Sequence, residues 1–149
     1  MIRPFQESDT EAVVRLWLDA LHTSHGFLPV GVRDALEEDV RTLYLPMSDE
    51  IVLYLDDATG RIDAFLAFAG DFLGALMVAP EAQGRGLGAR LLRIARRMHP
   101  ELSLTVYKEN ERAVAFYRRH GLAVCGERVE ERTGCVELLM EFPQEHGKS

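Results

Sequence analysis

The sequence predicts a single domain of the mixed α+β class, and two observations support this prediction. The chain has 149 residues, 47% of them hydrophobic, and a chain of this size can bury a substantial core without disulfides or bound metals. Its hydrophobic pattern has the period of helices near the N-terminus, that of strands between residues 50 and 79, and each in turn thereafter. We expect residues 1–143 to form the domain and residues 144–149 to be a polar C-terminal tail.

The first third of the chain is predicted to contain one short strand and two helices. The strand is Ile2–Phe5, and the capping-box residues Ser8 and Glu11 begin the first helix. Its apolar side chains recur at helical spacing: Val13, Trp17, Ala20 and Leu21. The second helix runs from Val32 to Leu45, where Pro46 should end it. Its acidic side chains favour a solvated face, with attraction of a cationic acceptor as the alternative: Glu37, Glu38 and Asp39.

A meander of three antiparallel strands is predicted next: Ile51–Leu55, Ile62–Ala69 and Phe72–Val78. Gly70 and Asp71 divide its apolar run into segments of strand length, which favours a buried hairpin over a membrane helix. The N-terminus lacks the apolar segment of a signal peptide. The two cysteines, Cys125 and Cys135, have no metal-ligand spacing. We therefore expect a soluble, cytoplasmic protein without metal, disulfide or membrane partner.

The second half of the chain is predicted to form a helix, a strand, a helix and a hairpin. The first helix has apolar residues at helical spacing: Leu87, Leu91, Ile94, Ala95 and Met98. A helix separates the strand Leu102–Tyr107 from Phe72–Val78, so these two strands should be parallel with a right-handed crossover. Asn110 should cap a helix over Glu111–His120. The hairpin pairs Leu122–Glu127 with Val136–Phe142.

A glycine-rich loop at residues 83–89 lies between the meander and the next helix. Glycine allows positive φ and a close approach to a ligand, and a helix N-terminus presents unpaired N–H groups that favour anions. The sequence therefore predicts a phosphate-binding loop. The net charge of −7 argues against a nucleic-acid partner. Five arginines and no acidic residue nevertheless occur between Gln83 and Met98, which favours a polyanionic ligand: Arg85, Arg90, Arg93, Arg96 and Arg97.

The glycine loop has two competing interpretations. Gly84, Gly86 and Ala89 match the dinucleotide-binding pattern G-x-G-x-x-G/A. In that pattern, however, the first glycine lies at the end of the strand, whereas here the residues 80–83 intervene. No well-placed acidic residue follows at the end of the next strand either. The spacing thus matches the dinucleotide pattern, but its context does not.

The second interpretation rests on two motifs and covers essentially the whole chain. Gln83-x-x-Gly86-x-Gly88, preceded by Met77-Val78-Ala79-Pro80, resembles the acetyl-coenzyme A (acetyl-CoA) motif of the GCN5-related N-acetyltransferases (GNAT). The segment 110–122 resembles the second motif of that family: Asn110-Glu-Arg-Ala113-Val-Ala-Phe116-Tyr117-Arg-Arg-His-Gly121-Leu. The resemblance implies a mostly antiparallel, twisted sheet with one parallel strand pair splayed around the cofactor and about four flanking helices. Three shorter patterns resemble the small bacterial branch that includes peptidyl-lysine acetyltransferases: His25-Gly-Phe-Leu, Asp71-Phe72-Leu73 and Leu104-x-Val-Tyr107.

The resemblance implies transfer of the acetyl group of acetyl-CoA to a primary amine, either a small molecule or a protein lysine, in a ternary complex. Arg85 and Arg90 would reach the adenosine phosphates, and a backbone N–H of Met77 or Val78 would polarise the thioester carbonyl. The acceptor would meet Phe72 and His25. The residues implied to bind the cofactor are Leu76, Met77, Val78, Gln83, Gly84, Arg85, Gly86, Leu87, Gly88, Ala89, Asn110, Phe116 and Tyr117.

Tyr117 is the candidate catalytic residue. It lies two helical turns from Asn110, so both side chains should share one face of the helix. A phenol with a reference pKa of about 10 can protonate a leaving thiolate whose thiol has a pKa of about 8.5. An aromatic residue at this spacing is usually part of the core, but the presence of both Asn110 and the glycine loop favours the catalytic interpretation. The segment Phe72–Ala79 carries no carboxylate, so the general base stays open, and its candidates are a water relay, Asp71, His25 and Glu109.

Two alternatives to this enzyme remain. The lack of a carboxylate on that strand also fits a non-catalytic module that binds acetyl-CoA as a sensor. A dinucleotide-dependent enzyme rests on the Gly84, Gly86 and Ala89 match. The sequence leaves both the acceptor amine and the choice between monomer and homodimer open.

Overall fold

The segments with strand period form one sheet of seven strands in a computed structural model that describes residues 1–24, 30–131 and 134–143. Across the sheet the order is β1-β2-β3-β4-β5-β7-β6, and β4 and β5 are the one parallel pair. The mixed α/β class with one parallel pair is therefore confirmed. The strands are β1 (Ile2–Pro4), β2 (Glu50–Leu55), β3 (Ile62–Ala69), β4 (Phe72–Val78), β5 (Ser103–Tyr107), β6 (Ala123–Val129) and β7 (Val136–Glu141).

Four helical segments flank the sheet in the described part of the chain. The second of them is continuous, because α2 passes through a π turn at Val40–Tyr44 into the short α3. None of these helices is long and apolar enough to cross a membrane. The helices are α1 (Thr10–Ser24), α2 (Val30–Asp39), α3 (Leu45–Met47), α4 (Leu87–Met98) and α5 (Glu111–Arg119).

The start of the first helix differs from the prediction. Asp9, not the Ser8 and Glu11 pair, closes the capping box, and its carboxylate accepts a hydrogen bond from the Gln6 backbone N–H at 2.8 Å. Arg3 donates two further bonds to the same carboxylate, at 2.8 and 2.9 Å. These bonds hold the pKa of the buried Asp9 below its usual range. Glu11 instead pairs with Arg41, whose position 30 residues away could not be read from local spacing.

The end of the second helical segment also differs. The helix does not stop at Leu45, because the π turn shifts the hydrogen-bond register and Pro46 falls in the first turn of α3, where its missing N–H is tolerated. Glu37 and Glu38 are exposed as predicted. The prediction of a solvated Asp39 is wrong, since this residue is buried beside Val40. His25 and the predicted tail at 144–149 lie outside the described residues.

Two hydrophobic clusters pack on opposite faces of the sheet, and each is named here after its main helix. On the α4 face, Leu91 and Leu92 pack over Leu66 and Phe68 of β3. On the α1 face, Val13 and its neighbours pack over Phe65 of β3. The alternation along β3 follows from the period of two in a strand, in which successive side chains point to opposite faces. Both faces of the central strands are therefore buried.

The C-terminal hairpin forms as predicted, but β7 inserts between β5 and β6. Leu104 lies opposite Met140 and Tyr107 lies opposite Glu137 in the β5–β7 ladder. The strand β6 continues past Glu127 to Val129 and becomes an edge of the sheet. The insertion brings side chains of the hairpin next to the parallel strand pair, which the order of elements along the sequence does not reveal.

Candidate functional site

The parallel pair of β4 and β5 separates soon after it begins. Their ladder records a single pair, Phe72 opposite Ser103, and the Ser103 N–H donates to the Asp71 carbonyl at 3.0 Å. A fully paired ladder of these strands would continue along their length. The described part of the sheet thus opens between β4 and β5 towards their C-terminal ends, as the splayed pair of the predicted fold requires.

A cavity of about 490 Å³ occupies this opening. Five of the predicted site residues line it together: Phe72, Leu76, Met77, Asn110 and Tyr117. Residues 83–89 and Phe116 lie outside its wall, and residue 78 leads from the cavity towards the glycine loop. The volume falls within the range of pockets that take small ligands.

The cavity reaches both faces of the sheet. Leu104 and Val106 of β5 belong to the cluster on the α4 face. Because side chains alternate along a strand, Thr105 and Tyr107 point to the α1 face. All four residues line the cavity. The wall also includes Tyr117 from the cluster of the α4 face and Trp17 from that of the α1 face. Two ligands can therefore meet in it from opposite sides of the sheet.

The backbone of β4 presents unpaired edges to this opening. The Ala79 N–H donates to the Asp63 carbonyl of the neighbouring chain segment at 2.8 Å. Hydrogen-bonding direction alternates along an antiparallel strand, so Met77, opposite Phe65, also points its N–H towards β3. The N–H groups of Leu76 and Val78 point to the β5 side instead. Of the two predicted oxyanion donors, Val78 thus faces the opening and Met77 does not.

A bulge at Gly74 bends β4 beside the cavity. Ala67 lies opposite Ala75 and Phe68 lies opposite Leu73, so Gly74 is the extra residue on this strand. A Cβ at Gly74 would lie 3.6 Å from the Ala67 carbonyl oxygen, which is ordinary van der Waals contact. A side chain would therefore fit at this position. Its absence leaves the described cavity without a carboxylate from β4.

The glycine loop begins after a turn of 3₁₀ helix at Pro80–Ala82, which separates it from β4. The Gln83 side-chain amide donates to the Val78 carbonyl at 3.1 Å and so ties the loop to the end of the strand. Gly84 and Gly86 have φ values of +80° and +77°, which a side chain would strain. Gly86 is the N-cap of α4, and because glycine has no side chain, the N-cap residue does not cap the first N–H groups of the helix.

Helix α5 connects the glycine loop to the cavity. Asn110 caps it, with Oδ1 accepting from the Ala113 N–H at 3.3 Å. A Cβ at Gly88 would lie 3.5 Å from Cζ of Phe116, so α4 and α5 approach closely at this point. Phe116 and Tyr117 form an edge contact with 5.3 Å between ring centroids. Burial raises the pKa of Tyr117 to about 12, which keeps the phenol protonated at neutral pH.

Arg85 and Arg90 lie on the side of the loop that faces the β2–β3 turn. Arg85 donates to the Glu81 carbonyl at 3.1 Å, and Arg90 donates to the Tyr54 hydroxyl at 3.2 Å. Both line a second cavity of about 410 Å³ together with three carboxylates: Asp56, Asp57 and Asp63. These contacts hold the two guanidinium groups at the rim of the loop, outside the first cavity.

Neither Asp71 nor Glu109, the two candidate bases that the structure describes, lies in the wall of the cavity. Asp71 contacts Nδ1 of His99 at 2.9 Å, while Nε2 of His99 contacts Glu50 at 3.2 Å. These carboxylates raise the pKa of His99, with Asp71 as the main cause. Glu109 does not line the cavity. His25 lies in the part of the chain that the structure does not describe.

The charged groups of the cavity come from the β6–β7 hairpin, and the sequence did not indicate them. Arg128, Glu130 and Glu137 line its wall, and Arg128 Nε lies 3.0 Å from Glu137 Oε1. The residues belong to the last fifth of the chain and carry no motif. Their position depends on the insertion of β7 next to β5. A signal existed in the period of two along β7, which places Glu137 on the face opposite to Leu138 and Met140.

The chain is similar in sequence to known acetyltransferases, which agrees with the geometry of this site. Residues 48–121 match the family model of the acetyltransferase (GNAT) domain. The chain is 32% identical over 145 residues to the peptidyl-lysine N-acetyltransferase YiaC of Escherichia coli (strain K12), covering 96% of this chain and 97% of that protein. It is 34% identical over 128 residues to the peptidyl-lysine N-acetyltransferase YjaB of the same strain, covering 84% of this chain and 83% of that protein.

A solved structure agrees. The solution structure of the apo form of YjaB from Escherichia coli superimposes with a TM-score of 0.85 at 28% identity, over 95% of this chain and 96% of that one. Fold and sequence thus define an acyltransferase. The chain belongs to the GNAT family of N-acetyltransferases, a family that generally uses acetyl-CoA as the donor. The prediction of an N-acetyltransferase is confirmed, and it takes precedence over the sensor and dinucleotide alternatives.

Proposed function

We propose that this enzyme transfers the acetyl group of acetyl-CoA to the side-chain amine of protein lysines, by direct attack in a ternary complex. The observation that carries the proposal is the cavity between β4 and β5, which is open to both faces of the sheet. A donor on one face and an acceptor on the other meet there without a covalent enzyme intermediate. The two E. coli relatives, both named peptidyl-lysine N-acetyltransferases, support lysine as the acceptor.

The cofactor is assigned to the α4 face of the cavity. The N–H groups of the glycine loop and of the first turn of α4 suit the pyrophosphate, since Gly84 and Gly86 hold positive φ without a side chain in the way. The outward N–H groups of Leu76 and Val78 suit the amide groups of the pantetheine arm, which would then lie as an added strand. Asn110 keeps its side-chain NH₂ available as a donor, because Oδ1 accepts the cap bond.

Tyr117 is assigned as the acid that protonates the leaving sulfur. The neutral amine attacks the thioester carbonyl, a C–N bond forms, and the C–S bond breaks as the sulfur takes the phenolic proton. The attacking nitrogen then loses its extra proton, which returns through water to the phenolate. Full transfer of the proton from a phenol with a pKa of about 12 to a thiolate whose thiol has a reference pKa of about 8.5 would cost about 5 kcal/mol. Burial raises the pKa of the thiol as it raises that of the phenol, so the difference between the two pKa values is smaller within the cavity.

Removal of the acceptor proton is assigned to a water relay. A lysine ammonium with a reference pKa of about 10.4 costs about 4–5 kcal/mol to deprotonate at pH 7. The wall contributed by β4 has no carboxylate, and Asp71 is bonded to His99 at the outer end of the strand. Water that enters through the open α1 face can carry the proton to bulk solvent. Phe72, whose side chain points to the α1 face, would contact the aliphatic part of the lysine.

Neither Cys125 nor Cys135 forms a disulfide, which fits a reducing compartment, and we place the enzyme in the cytoplasm. Cys125 is exposed on β6, and neither thiol lines the cavity. No step of the transfer therefore depends on a cysteine nucleophile.

The proposal is tested with acetyl-CoA and a peptide whose N-terminus is blocked and whose single amine is a lysine. We expect release of free thiol in equal amount to acetyl-lysine, measured by thiol titration and by mass spectrometry. The matched control is the same peptide with the lysine amine already acetylated, which should release no thiol. Acetylation of spermidine with no acetylation of any lysine peptide would contradict the assignment of the acceptor while leaving the acetyltransferase activity intact.

A further inference from the structure

The acceptor side of the cavity contains an ion pair that the mechanism above does not use. On the α1 face, Glu137 of β7 lies opposite Tyr107 of β5 and opposite Arg128 of β6. Arg128 Nε contacts Glu137 Oε1 at 3.0 Å, and all three residues line the cavity. The pair therefore stands on the side of the sheet away from the glycine loop and α5, where the acceptor amine must arrive.

The two partners of this pair differ in exposure. The Glu137 side chain is 13% exposed and that of Arg128 is 71% exposed. The carboxylate is thus held within the wall of a central strand, while the guanidinium reaches it from the edge strand and remains mostly in water. An exposed cation gains little from such a pair and gives it up at small cost. The contact also engages one carboxylate oxygen through one guanidinium nitrogen, not the two parallel bonds of the strongest arginine pairs.

The surroundings favour a cation at Glu137. Glu130 lines the same cavity at the end of the hairpin, where its backbone N–H donates to the Cys135 carbonyl at 2.8 Å. Arg128 is the one lysine or arginine in the described wall of the cavity, against two carboxylates. The acceptor end is therefore negative once Arg128 moves away, whereas the arginines of the glycine loop lie outside this cavity, on the rim of the second one.

We propose that Glu137 binds the ammonium group of the acceptor and that Arg128 occupies this position until the acceptor displaces it. This inference rests on the proposed function and assigns the residue that selects a cationic amine. Glu137 is a positioning residue: it concentrates and orients the ammonium at the entrance, and the amine loses its proton to water as it advances to the thioester. The exchange of one cation for another leaves the partly buried carboxylate paired throughout, which avoids the cost of an uncompensated charge.

The inference predicts opposite effects for the two halves of one ion pair. Glu137→Gln should raise the KM for the blocked lysine peptide roughly tenfold, the size expected for loss of a hydrogen bond between charged groups. Arg128→Gln should lower this KM about two- to threefold, because a competing cation is removed. The KM for acetyl-CoA should stay unchanged in both variants. Glu141→Gln is the matched control, since Glu141 lies on the same strand and face but outside the cavity wall.

Initial rates with the peptide and with spermidine measure these constants, and the melting temperature of each variant checks its folding. Equal KM shifts in Glu137→Gln and Glu141→Gln would overturn the role of Glu137. A higher peptide KM in Arg128→Gln would overturn it as well, and this variant keeps the Glu137 carboxylate even if Glu137→Gln fails to fold. A wild-type enzyme that acetylates spermidine but no peptide contradicts the lysine acceptor alone, because Glu137 can then be tested with spermidine.

Discussion

The donor and acceptor halves of the proposed site would recognise their ligands by different means. On the α4 face the proposed contacts come mainly from backbone: the unpaired edge of β4 in the cavity, and the glycine loop and first turn of α4 beyond the cavity wall. On the α1 face they come from side chains of segments far apart in the chain, including Trp17, Phe72 and Glu137. Backbone recognition requires particular residue types at fixed spacing, whereas side-chain recognition tolerates many solutions. The donor half therefore suits a cofactor that is always the same, whereas the acceptor half suits acceptors that vary.

The sharpest test of this division is Tyr117→Phe, in the donor half. Loss of the proton donor should lower kcat about 100-fold or more, which is the usual contribution of a general acid. The affinity for acetyl-CoA, measured by calorimetry, should change little, because the ring that packs on Phe116 is retained. Unchanged turnover would remove the phenol from the mechanism and would make Tyr117 a wall residue.

A second test changes the backbone of the donor half alone. Gly86→Val should raise the Kd for acetyl-CoA at least about tenfold, because a β-branched residue resists the φ of +77° and its side chain points at the expected phosphate. Gly60→Val is the control, since Gly60 has a similar φ of +75° in the β2–β3 turn. The melting temperature should fall by a similar amount in both variants. Equal losses of acetyl-CoA affinity in the two variants would show that backbone strain in general, and not a contact of the glycine loop with the cofactor, lowers the affinity.

Asn110 has a capping role and a proposed binding role, and two substitutions separate them. Asn110→Ala should cost about 1 kcal/mol of stability through loss of the cap, together with a higher KM for acetyl-CoA. Asn110→Asp keeps an oxygen acceptor for the Ala113 N–H but loses the NH₂ donor, so stability should hold while this KM rises about fivefold. A normal KM in Asn110→Asp would reduce Asn110 to a helix cap.

The smallest expected effect lies outside both halves, at His99. Its pKa is raised by Asp71 and Glu50 in the folded state. A raised pKa stabilises the fold fully below the unfolded value of about 6.5, and this stabilisation is lost as pH rises through the higher folded value. The melting temperature should therefore fall by about 2–4 °C as the pH rises from about 6.5 through the folded pKa of His99. His99→Gln should abolish this part of the pH dependence. The same slope in wild type and variant would contradict the assignment.

The pattern of successful and failed predictions follows the same division. The glycine loop, the Asn110 cap and the parallel strand pair were all predicted, because each depends on local spacing or on the order of neighbouring elements, whereas the splaying of that pair was implied by the family resemblance. The capping role of Asp9 and the burial of Asp39 were missed. Arg3 bonds the Asp9 carboxylate, and Asp39 faces inwards at the start of the π turn, which no local rule indicated.

The sequence by itself determined the fold class, the family and the glycine-rich loop before α4, since a helix N-terminus and residues with positive φ leave a fixed local signature. Only the tertiary structure decided which N–H groups of β4 face the cavity and which carboxylates line its acceptor side. The first depends on hydrogen-bond alternation set by pairing with β3, and the second on the insertion of β7 beside β5. Both are properties of strand neighbours, and contacts between distant strands leave no spacing in the chain.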